Sequence, residues 1–429
     1  MTESVLPPLL PRHLEPLLRE ALTTARVVNL VGPRQTGKTT LVRDLFAGGR
    51  FVTLDDDGLR AAIDEDPHGQ LTTLVRGAEN APLIIDEAQR SPSLALAVKR
   101  IVDAERRPGQ FLLTGSSNVF TTLAVADSLA GRLRTCRLWP LSTAESLSRP
   151  ASRLLDRAIE RDVEPGDWPE PEPLPRPEYV DLVVRGGYPE AARLPLRARQ
   201  DLLRDYVDTI VDRDVADLHR VRKNDALRRL IDRLAVRTAS LSNMAELGEL
   251  VGVQRQTIDQ YVDVLVRLSL VIRLDAWAPG ETRRAAKRPK LHFADTGVAA
   301  ALRDLSPSSF DADADPTAFG GLLESFVLGE LVRSLPMQEA RFRLWHWSDP
   351  AKKREIDIVA ESRDRLVAIE VKASRTVSAR DFRHLKWFAS EGPGARRRVT
   401  SILFYLGDET LVFGERLLAL PISALWAAR

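Results

Sequence analysis

The chain has 429 residues, of which 44% are hydrophobic and 28% are charged. This composition excludes an intrinsically disordered chain, and the length favours about three domains. The net charge of +2 is too small to indicate nucleic-acid binding by overall charge, so any such contact must come from a local basic patch. The single cysteine, Cys136, excludes an intrachain disulfide and suggests no thiolate zinc site.

The cellular location expected from the sequence is the cytoplasm. A single cysteine fits a reducing compartment. The sequence has no apolar run of the length of a membrane span, and residues 1–11 lack the basic segment of a signal peptide. We therefore expect no membrane partner.

The predicted ATPase core spans residues 1–147, and within it residues 26–140 alternate predicted strands and helices in the way that an open parallel sheet requires. The predicted elements are a lead-in helix over 12–25 and apolar strands over 26–31, 51–54, 83–85 and 110–114. We therefore predict an α/β fold in which this part of the chain is a P-loop NTPase core, a parallel sheet covered by helices.

The first predicted strand is followed by G-x-x-x-x-G-K-T, the Walker A spacing of a phosphate-binding loop between a strand and a helix. Glycines let the backbone close around phosphates, and the helix N-terminus adds its positive dipole end. Lys38 is expected to reach the β- and γ-phosphates of ATP, and Thr39 to ligate Mg²⁺. The predicted nucleotide-binding residues are Gly32, Pro33, Arg34, Gln35, Thr36, Gly37, Lys38, Thr39, Thr40 and Thr114.

Two acids at the end of a later apolar strand complete the predicted ATP site. Asp86 is expected to hold the Mg²⁺ shell, and Glu87 to polarise the attacking water. Thr114 or Ser116, at the end of the next predicted strand, could sense the γ-phosphate; a turn of small residues is the alternative. The sequence therefore predicts a Mg²⁺-dependent ATPase.

Arg132 is the third predicted catalytic residue, beside Lys38 and Glu87. It could reach a phosphate in its own subunit, or in a neighbouring subunit's site as arginine fingers do. An ordinary surface arginine is the alternative. A finger that acts in trans would require a homo-oligomer, which the sequence leaves open.

Residues 148–178 are rich in proline and acidic residues, which is typical of a linker or an extended surface insertion. Residues 179–225 are predicted to form a helical lid region, interrupted by the glycines at 186 and 187. The predicted domain order is therefore a core, a linker and a lid before two further regions.

Residues 226–295 have the pattern of a winged-helix region, with a helix, a short turn and a second helix. The residues expected to face DNA bases at the start of the second helix are Gln254, Arg255, Gln256 and Thr257. The cations of the predicted wing, expected to contact phosphates, are Arg283, Arg284, Lys287, Arg288 and Lys290. A protein-binding winged helix and a merely solvated basic loop are the alternatives, so DNA and a protein are both candidate partners.

Residues 296–429 carry a second set of acids. Glu324 lies on a predicted helix, Asp357 on a strand, and Glu370 and Lys372 share one face of the next strand because they are two residues apart. Converging carboxylates favour a divalent cation such as Mg²⁺, and a nearby lysine could position water against a phosphodiester. The pattern is that of PD-(D/E)xK nucleases and predicts a small α/β restriction-nuclease-like domain. Salt bridges on a solvated sheet face are the alternative.

Together these motifs resemble a prokaryotic family, the AAA+-like P-loop ATPases with a DUF4143 C-terminal region. The matching segments are 32–39, 54–56, 85–89, 113–117, 129–132, 140–142, 186–190, 213–215 and 295–297, with Glu324, Asp357, Glu370 and Lys372. The resemblance implies an ATPase core, a winged-helix middle and a nuclease-like end, with roles in DNA transactions, defence or toxin–antitoxin modules. The chain departs from the family in the proline-rich stretch 149–177, which affects the predicted lid.

Three functions follow as hypotheses, of which the third is a DNA-binding regulator without nuclease activity. In the first, Mg²⁺-dependent ATP hydrolysis is coupled to a winged-helix and nuclease-like module that acts on DNA, with or without metal-dependent nuclease activity. In the second, the chain is a nucleotide-controlled switch, or a toxin–antitoxin or defence regulator, whose C-terminal domain is a catalytically silent interaction module.

Overall fold

The computed structural model describes most of the chain in two compact units. The described residues are 10–46, 48–78, 81–115, 129, 131–160, 168, 171–214, 224–280, 288–311 and 316–427. The amino-terminal unit is Arg12–Pro140, and the carboxy-terminal unit consists of Leu141–Arg429 with Met1–Pro11. Among the described residues, no helix is long and apolar enough to cross a membrane.

The amino-terminal unit alternates helices and strands, as predicted. Its elements are α1 (Leu14–Thr24), β1 (Val27–Val31), α2 (Lys38–Leu45), β2 (Arg50–Thr53), α3 (Asp57–Glu65), α4 (Pro67–Arg76), β3 (Leu83–Asp86), α5 (Leu94–Ala104), β4 (Phe111–Gly115) and β5 (Leu133–Arg137). Each of the four predicted strands is present, within one residue at either end.

These five strands form one parallel sheet in the order β2-β3-β4-β1-β5. All five residues of β1 are buried, because the strand has a neighbour on each side and is covered on both faces. Ile85 and Leu113 of the sheet share a core with Leu71 of α4 and Val98 of α5. The carboxyl ends of parallel strands meet at one edge, so this topology brings the segments after β1, β3 and β4 together. The predicted α/β fold with a parallel sheet core is confirmed.

The carboxy-terminal unit combines helices with two sheets. Its helices are α6 (Thr143–Ser146), α7 (Leu154–Glu160), α8 (Arg176–Arg185), α9 (Leu196–Thr209), α10 (Asn224–Val236), α11 (Met244–Val251), α12 (Arg255–Arg267), α13 (Thr296–Leu302), α14 (Pro316–Ser334) and α15 (Arg383–Ser390). Its strands are β6 (Ser240–Leu241), β7 (Val271–Leu274), β8 (Lys290–Phe293), β9 (Arg343–Asp349), β10 (Arg354–Ser362), β11 (Arg365–Val371), β12 (Arg398–Tyr405), β13 (Leu411–Gly414) and β14 (Leu417–Pro421).

The larger sheet of this unit has the order β13-β14-β12-β11-β10-β9. Strands β11, β12 and β14 run parallel to one another, whereas β9 and β10 continue the sheet antiparallel. Ile369 on one face shares a core with Leu322 of α14, and Ala368 on the other face packs with Phe388 of α15. The smaller antiparallel sheet has the order β6-β8-β7. Helix α14 therefore lies on the larger sheet, and β8 supplies the central strand of the smaller one.

The stretch 148–178, predicted as a linker, is more packed than the sequence indicated. Its first part forms α7, in which Leu154 and Leu155 are buried, and the Thr400 hydroxyl donates to the Ala158 carbonyl over 2.7 Å. Trp168 is also buried in the same core. The prolines that dominate this stretch conceal the apolar spacing at its start, which is why composition alone indicated an extended segment.

Candidate ATP site and acidic cluster

The phosphate-binding loop between β1 and α2 is held tightly by its own glycines. A Cβ atom on Gly32 would lie 2.0 Å from the Leu138 carbonyl oxygen, so no larger residue fits there without a shift of the backbone. Gly37 has φ +87°, in the left-handed region that favours glycine, and α2 begins at the next residue. Inside the loop, the Thr36 hydroxyl donates to the Pro33 carbonyl over 2.9 Å. The loop therefore has the compact shape that a phosphate cradle needs.

Arg12, which the sequence analysis missed, fastens this loop. Its guanidinium donates to the Thr36 carbonyl over 2.7 Å and to the Trp139 carbonyl over 2.6 Å. Both acceptors are backbone carbonyls, so the arginine orients the loop through its main chain. No local pattern identifies Arg12, because it lies 24 residues from one acceptor and 127 from the other.

Lys38 is buried at the start of α2 and leans back over the loop. Its ammonium donates to the carbonyl oxygens of Gly32 over 3.0 Å and of Pro33 over 2.7 Å. The other predicted loop residues differ in exposure: Arg34 is half-buried, whereas Gln35 and Thr40 are exposed. Lys38 is thus the cation held inside the cradle.

Two motifs far apart in sequence meet at the edge of the sheet. The Thr39 hydroxyl donates to Asp86 Oδ2 over 2.8 Å, and the Thr114 hydroxyl donates to Asp86 Oδ1. One hydroxyl oxygen and one carboxylate are the hard oxygen donors that Mg²⁺ takes from a protein when substrate phosphates and water supply the rest. The residues present therefore fit a Mg²⁺ ion held with a nucleotide. Ser116, the other predicted γ-phosphate sensor, lies outside the described residues.

Glu87 follows Asp86 in an unusual backbone conformation. Its φ of +54° lies in the left-handed region, which residues other than glycine rarely adopt. Burial raises the pKa of the Glu87 carboxyl; Arg34 opposes this shift, and Asp86 adds to it. The Gln89 amide donates to the same carboxylate. A carboxylate with a raised pKa is a better proton acceptor than a solvated one, which suits a general base.

Arg132 lies at the opposite edge of the sheet from the phosphate-binding loop. It precedes β5, whose first residue pairs with Val27 at the start of the parallel strand β1. The loop follows the end of β1, roughly 13 Å further along the strand direction. The Arg132 guanidinium forms a bidentate ion pair with Asp103, with Nε 2.5 Å from Oδ1 and Nη2 3.1 Å from Oδ2. The prediction that Arg132 reaches a phosphate of its own subunit is therefore wrong; action on a neighbouring subunit stays a prediction.

In the carboxy-terminal unit, three carboxylates converge on a single lysine. The Lys290 ammonium lies 2.8 Å from Glu324 Oε1, 2.5 Å from Glu355 Oε1 and 3.3 Å from Asp357 Oδ1. Lys290 comes from β8, Glu324 from α14 and the other two acids from β10. We call these four residues the lysine-centred cluster.

The prediction that Lys290 contacts a DNA backbone is therefore wrong. The residue is 1% exposed, and its charge is committed to carboxylates inside the unit. All four residues of β8 are buried, so Lys290 opens an interior strand and does not lie on the rim of a basic loop. Glu355 was also missed as a site residue, although it lies two residues before Asp357 on the same strand and therefore shares a face with it.

Glu370 and Lys372 lie next to this cluster and have other partners. Burial raises the pKa of Glu370 to about 9, with a further contribution from Asp357. The side chain of Lys372 pairs with Asp381, and His384 Nδ1 lies 3.8 Å from Glu370 Oε1. The structure thus brings Glu324 and Asp357 onto one lysine, while Lys372 is held by an acid that the sequence analysis did not consider.

The residues of this region do not fit the divalent cation that a nuclease pattern implies. The ammonium of Lys290 stands at the point on which the three carboxylates converge. Within the part of the chain that the structure describes, no group of three or more His, Cys, Asp or Glu residues is arranged to hold a metal ion. No chemistry through a bound metal follows for these acids.

Apart from Lys290, the predicted DNA-contact residues fall into three groups. Gln254 caps α12, and it is exposed together with Arg255 and Gln256; Thr257 is half-buried. Arg288 is exposed just before β8. The other predicted cations, Arg283, Arg284 and Lys287, lie outside the described residues.

Three family models match the chain: an AAA domain over residues 24–147, a domain of unknown function (DUF8612) over 176–309, and a domain of unknown function (DUF4143) over 319–425. Two uncharacterized proteins, from Mycobacterium bovis and Mycobacterium tuberculosis, are each 29% identical to the chain over 363 residues. The alignments cover 84% of this chain and 73% of each relative.

Solved structures resemble the chain more distantly. A Walker-type ATPase of Pyrococcus abyssi is 14% identical, with a TM-score of 0.41 over 67% of this chain and 94% of that protein. AMPPCP-bound DnaA of Aquifex aeolicus is 13% identical, with a TM-score of 0.25 over 58% of this chain and 86% of that protein. Both TM-scores are below 0.5, so these likenesses assign no role to any residue of this chain.

Proposed function

We propose that the chain is a P-loop ATPase that joins an AAA domain to a DUF4143 C-terminal region, and that it binds ATP and hydrolyses it in a Mg²⁺-dependent reaction. The observation that carries this proposal is the 2.8 Å hydrogen bond between Thr39 and Asp86, which joins the loop to the acid-bearing strand. A glycine-rich turn that matched the motif by chance would not place a carboxylate within hydrogen-bond distance of its threonine, as Asp86 is placed at Thr39. The single cysteine continues to favour the cytoplasm as the location.

Each residue of the ATP site has a role that its contacts support. Lys38 exchanges the neutral carbonyls of Gly32 and Pro33 for charged phosphate oxygens, which are stronger acceptors. Thr39 and Asp86 would hold Mg²⁺, which neutralises phosphate charge when it is bound. Glu87 orients the attacking water and accepts its proton.

The direct test compares ATP affinity and phosphate release in wild-type protein and Glu87→Gln. The amide keeps the side-chain shape but accepts no proton, so we expect unchanged affinity and a fall in turnover of about a hundredfold or more. Glu65→Gln, an exposed position in α3, is the matched control and should turn over ATP at the wild-type rate. Unchanged turnover in Glu87→Gln would contradict the role given to this carboxylate.

We also propose that the carboxy-terminal unit contacts DNA through a winged helix. The support is the order of elements: α11, a short turn and α12 are followed by the antiparallel strands β7 and β8. Arg255 is exposed at the start of α12, where a recognition helix meets base edges. Affinity for duplex DNA should fall steeply with rising salt and should weaken in Arg255→Gln but not in Arg60→Gln, a control in the other unit. An affinity for DNA that does not change with salt concentration would contradict this contact.

A nuclease-like fold is the companion proposal for the DUF4143 region. The order α14-β9-β10-β11-α15-β12 carries Glu324, Asp357, Glu370 and Lys372 in the sequence of the PD-(D/E)xK pattern. Plasmid and linear DNA should be incubated with Mg²⁺ or Mn²⁺, with and without ATP, beside an Asp357→Ala control. Cleavage that requires ATP and disappears in the variant would make the protein an ATP-coupled nuclease.

A specific observation favours the second candidate function for this region. Lys290 pairs with Glu324, and Lys372 pairs with Asp381, so neither lysine is presented to a phosphodiester. The carboxy-terminal unit would then be a catalytically silent interaction module. The whole chain would act as a nucleotide-controlled switch, or as a toxin–antitoxin or defence regulator. The module would bind a protein partner or a second copy of the chain. Absence of cleavage, together with a particle size that changes with nucleotide in light scattering, would support this function. Nuclease activity in the assay above would remove it.

A further inference from the structure

The lysine-centred cluster combines residues from two matched regions of the chain. Lys290 lies in the segment that matches DUF8612, whereas Glu324, Glu355 and Asp357 lie in the segment that matches DUF4143. Each carboxylate has an oxygen within 3.3 Å of the same nitrogen. A single positive charge from one region is therefore shared by three acids of the other.

The position of the ammonium is the one that a bound cation would take. A divalent metal in an acidic site lies where carboxylate oxygens converge, at 2.0–2.6 Å from each. Here the convergence point holds Lys290 Nζ, at 2.5, 2.8 and 3.3 Å from the three oxygens, and two of these distances are longer than a metal–oxygen bond. A metal and this ammonium cannot occupy the same point, because like charges repel and the space is already filled.

The acids of the cluster are accessible from solvent. The cluster lines a cleft of about 570 Å³ together with Thr238, Ser240 and Arg303. The Glu355 side chain is 42% exposed, so ions in solution can reach the acids. An incoming cation would therefore meet the positive charge of Lys290 and not a closed protein surface.

The electrostatics agree with this geometry. Burial alone would lower the pKa of Lys290, but Glu324, Asp357 and Glu355 together raise it above the usual lysine value, so the ammonium stays charged. One positive charge cannot neutralise three negative ones. Burial and the neighbouring Asp357 therefore raise the pKa of Glu324 to about 8, although Lys290 opposes the shift. His292 adds no second cation, because burial and Lys290 keep its pKa well below the usual histidine value.

We propose that Lys290 is a built-in cation that occupies the metal position of the Glu324–Glu355–Asp357 cluster and keeps it free of divalent metal. The cluster then acts as an internal joint between the DUF8612-matching and DUF4143-matching segments of the carboxy-terminal unit. This role goes beyond the proposed ATPase function and is independent of it.

The test is Mn²⁺ binding, followed by electron paramagnetic resonance without nucleotide, in full-length protein that carries Asp86→Asn to remove the cation ligand of the ATP site. In this background we expect no Mn²⁺ at the cluster. Adding Lys290→Met frees the three carboxylates and should create one Mn²⁺ site with a Kd at least about tenfold lower than any in the background protein. Lys372→Met, which removes a lysine outside the cluster, is the matched control and should create no such site.

A second measurement decides the question if Lys290→Met does not fold. The melting temperature and Mn²⁺ binding of the Asp86→Asn protein are compared with those of the same protein carrying Glu324→Gln or Glu355→Gln. We expect any Mn²⁺ response to be the same in all three, since the cluster contributes no metal ligand while Lys290 is present. Mn²⁺ binding that is lost in Glu324→Gln or Glu355→Gln would overturn the proposal, as would a folded Lys290→Met variant that gains no site. Neither outcome depends on ATP turnover, so a failure here is distinct from a failure of the ATPase assignment.

Discussion

The two units each bury a lysine at the centre of a candidate site, and the two lysines differ in their partners. Lys38 of the amino-terminal unit donates to the backbone carbonyls of Gly32 and Pro33. Lys290 of the carboxy-terminal unit contacts three carboxylates, among them Glu324 and Asp357. Both side chains are below 10% exposure, so burial does not distinguish them.

The difference shows how the partners of a buried cation decide its use. A carbonyl is a neutral acceptor, and an anionic phosphate that enters the loop is a stronger one, so Lys38 can change partners on ligand binding. A buried carboxylate holds an ammonium far more strongly, and separating the pair would leave uncompensated charges in the interior. Lys38 can therefore turn to a phosphate that enters the loop, whereas Lys290 stays paired with the carboxylates of its own unit.

The sharpest test of this comparison substitutes methionine for each lysine. Lys38→Met removes charged hydrogen bonds worth ~1.5–3 kcal/mol each, so ATP affinity should fall by about a hundredfold or more with only a small change in stability. Lys290→Met leaves three carboxylates uncompensated and should lower the free energy of unfolding by about 3–5 kcal/mol while ATP affinity is kept in the folded fraction. Nucleotide titration and urea unfolding measure the two effects. Equal losses of stability in both variants would break the distinction.

Removal of Arg12 should sharpen the comparison on the side of the loop. Arg12→Ala removes the hydrogen bonds to the Thr36 and Trp139 carbonyls, which help to hold the loop in place. Misplacement of the loop should reduce kcat/KM for ATP by about tenfold. Arg60→Ala, in which an arginine of α3 paired with Asp57 is removed, is the control for loss of a surface arginine. Steady-state kinetics unchanged in Arg12→Ala would show that the loop holds its shape without this residue.

The pH dependence of stability should report on Glu370, a buried acid next to the lysine-centred cluster. The pKa of Glu370 is raised to about 9 from an ordinary value of 4.5, so the folded state keeps a proton that the unfolded chain has already lost. Its contribution to stability is full below pH 4.5 and is lost as the pH rises to about 9. Glu370→Gln removes this dependence.

The measurement for Glu370 is the melting temperature across pH 6 to 9. The melting temperature of Glu370→Gln relative to wild type should rise steadily over this range, because only the wild type loses stability as its carboxyl ionises. The exposed Glu391→Gln is the control and should track the wild type. A difference between Glu370→Gln and wild type that stays constant with pH would show that the carboxyl does not titrate in this range.

The smallest effect is expected at Arg132. Because Arg132 pairs with Asp103 at the far edge of the sheet, Arg132→Ala should leave ATP turnover of the isolated subunit within about twofold of wild type. Turnover should be measured over a range of protein concentrations. A tenfold fall that appears only at high concentration would instead indicate a finger that acts on a neighbouring subunit.

Local patterns predicted most of the amino-terminal unit. The apolar strands, the glycine loop and the Asp86-Glu87 pair are each readable within a few residues. The rule that parallel strands end at one edge then explains why Thr39 and Asp86 meet across 47 positions. Arg12 escaped prediction, since its partners depend on where two distant backbone carbonyls come to lie.

In the carboxy-terminal unit, the sequence alone determined which residue types are present: an acidic helix position at Glu324, acids on two strands, and lysines among them. Only the tertiary structure decided which lysine serves which acid. Lys290 reaches Glu324 and Asp357 from 34 and 67 residues away, while Lys372 turns to Asp381 instead. The physical reason is that periodicity records which face of an element a side chain takes, whereas an ion pair depends on how separate elements pack, and packing is set by contacts that no local pattern contains.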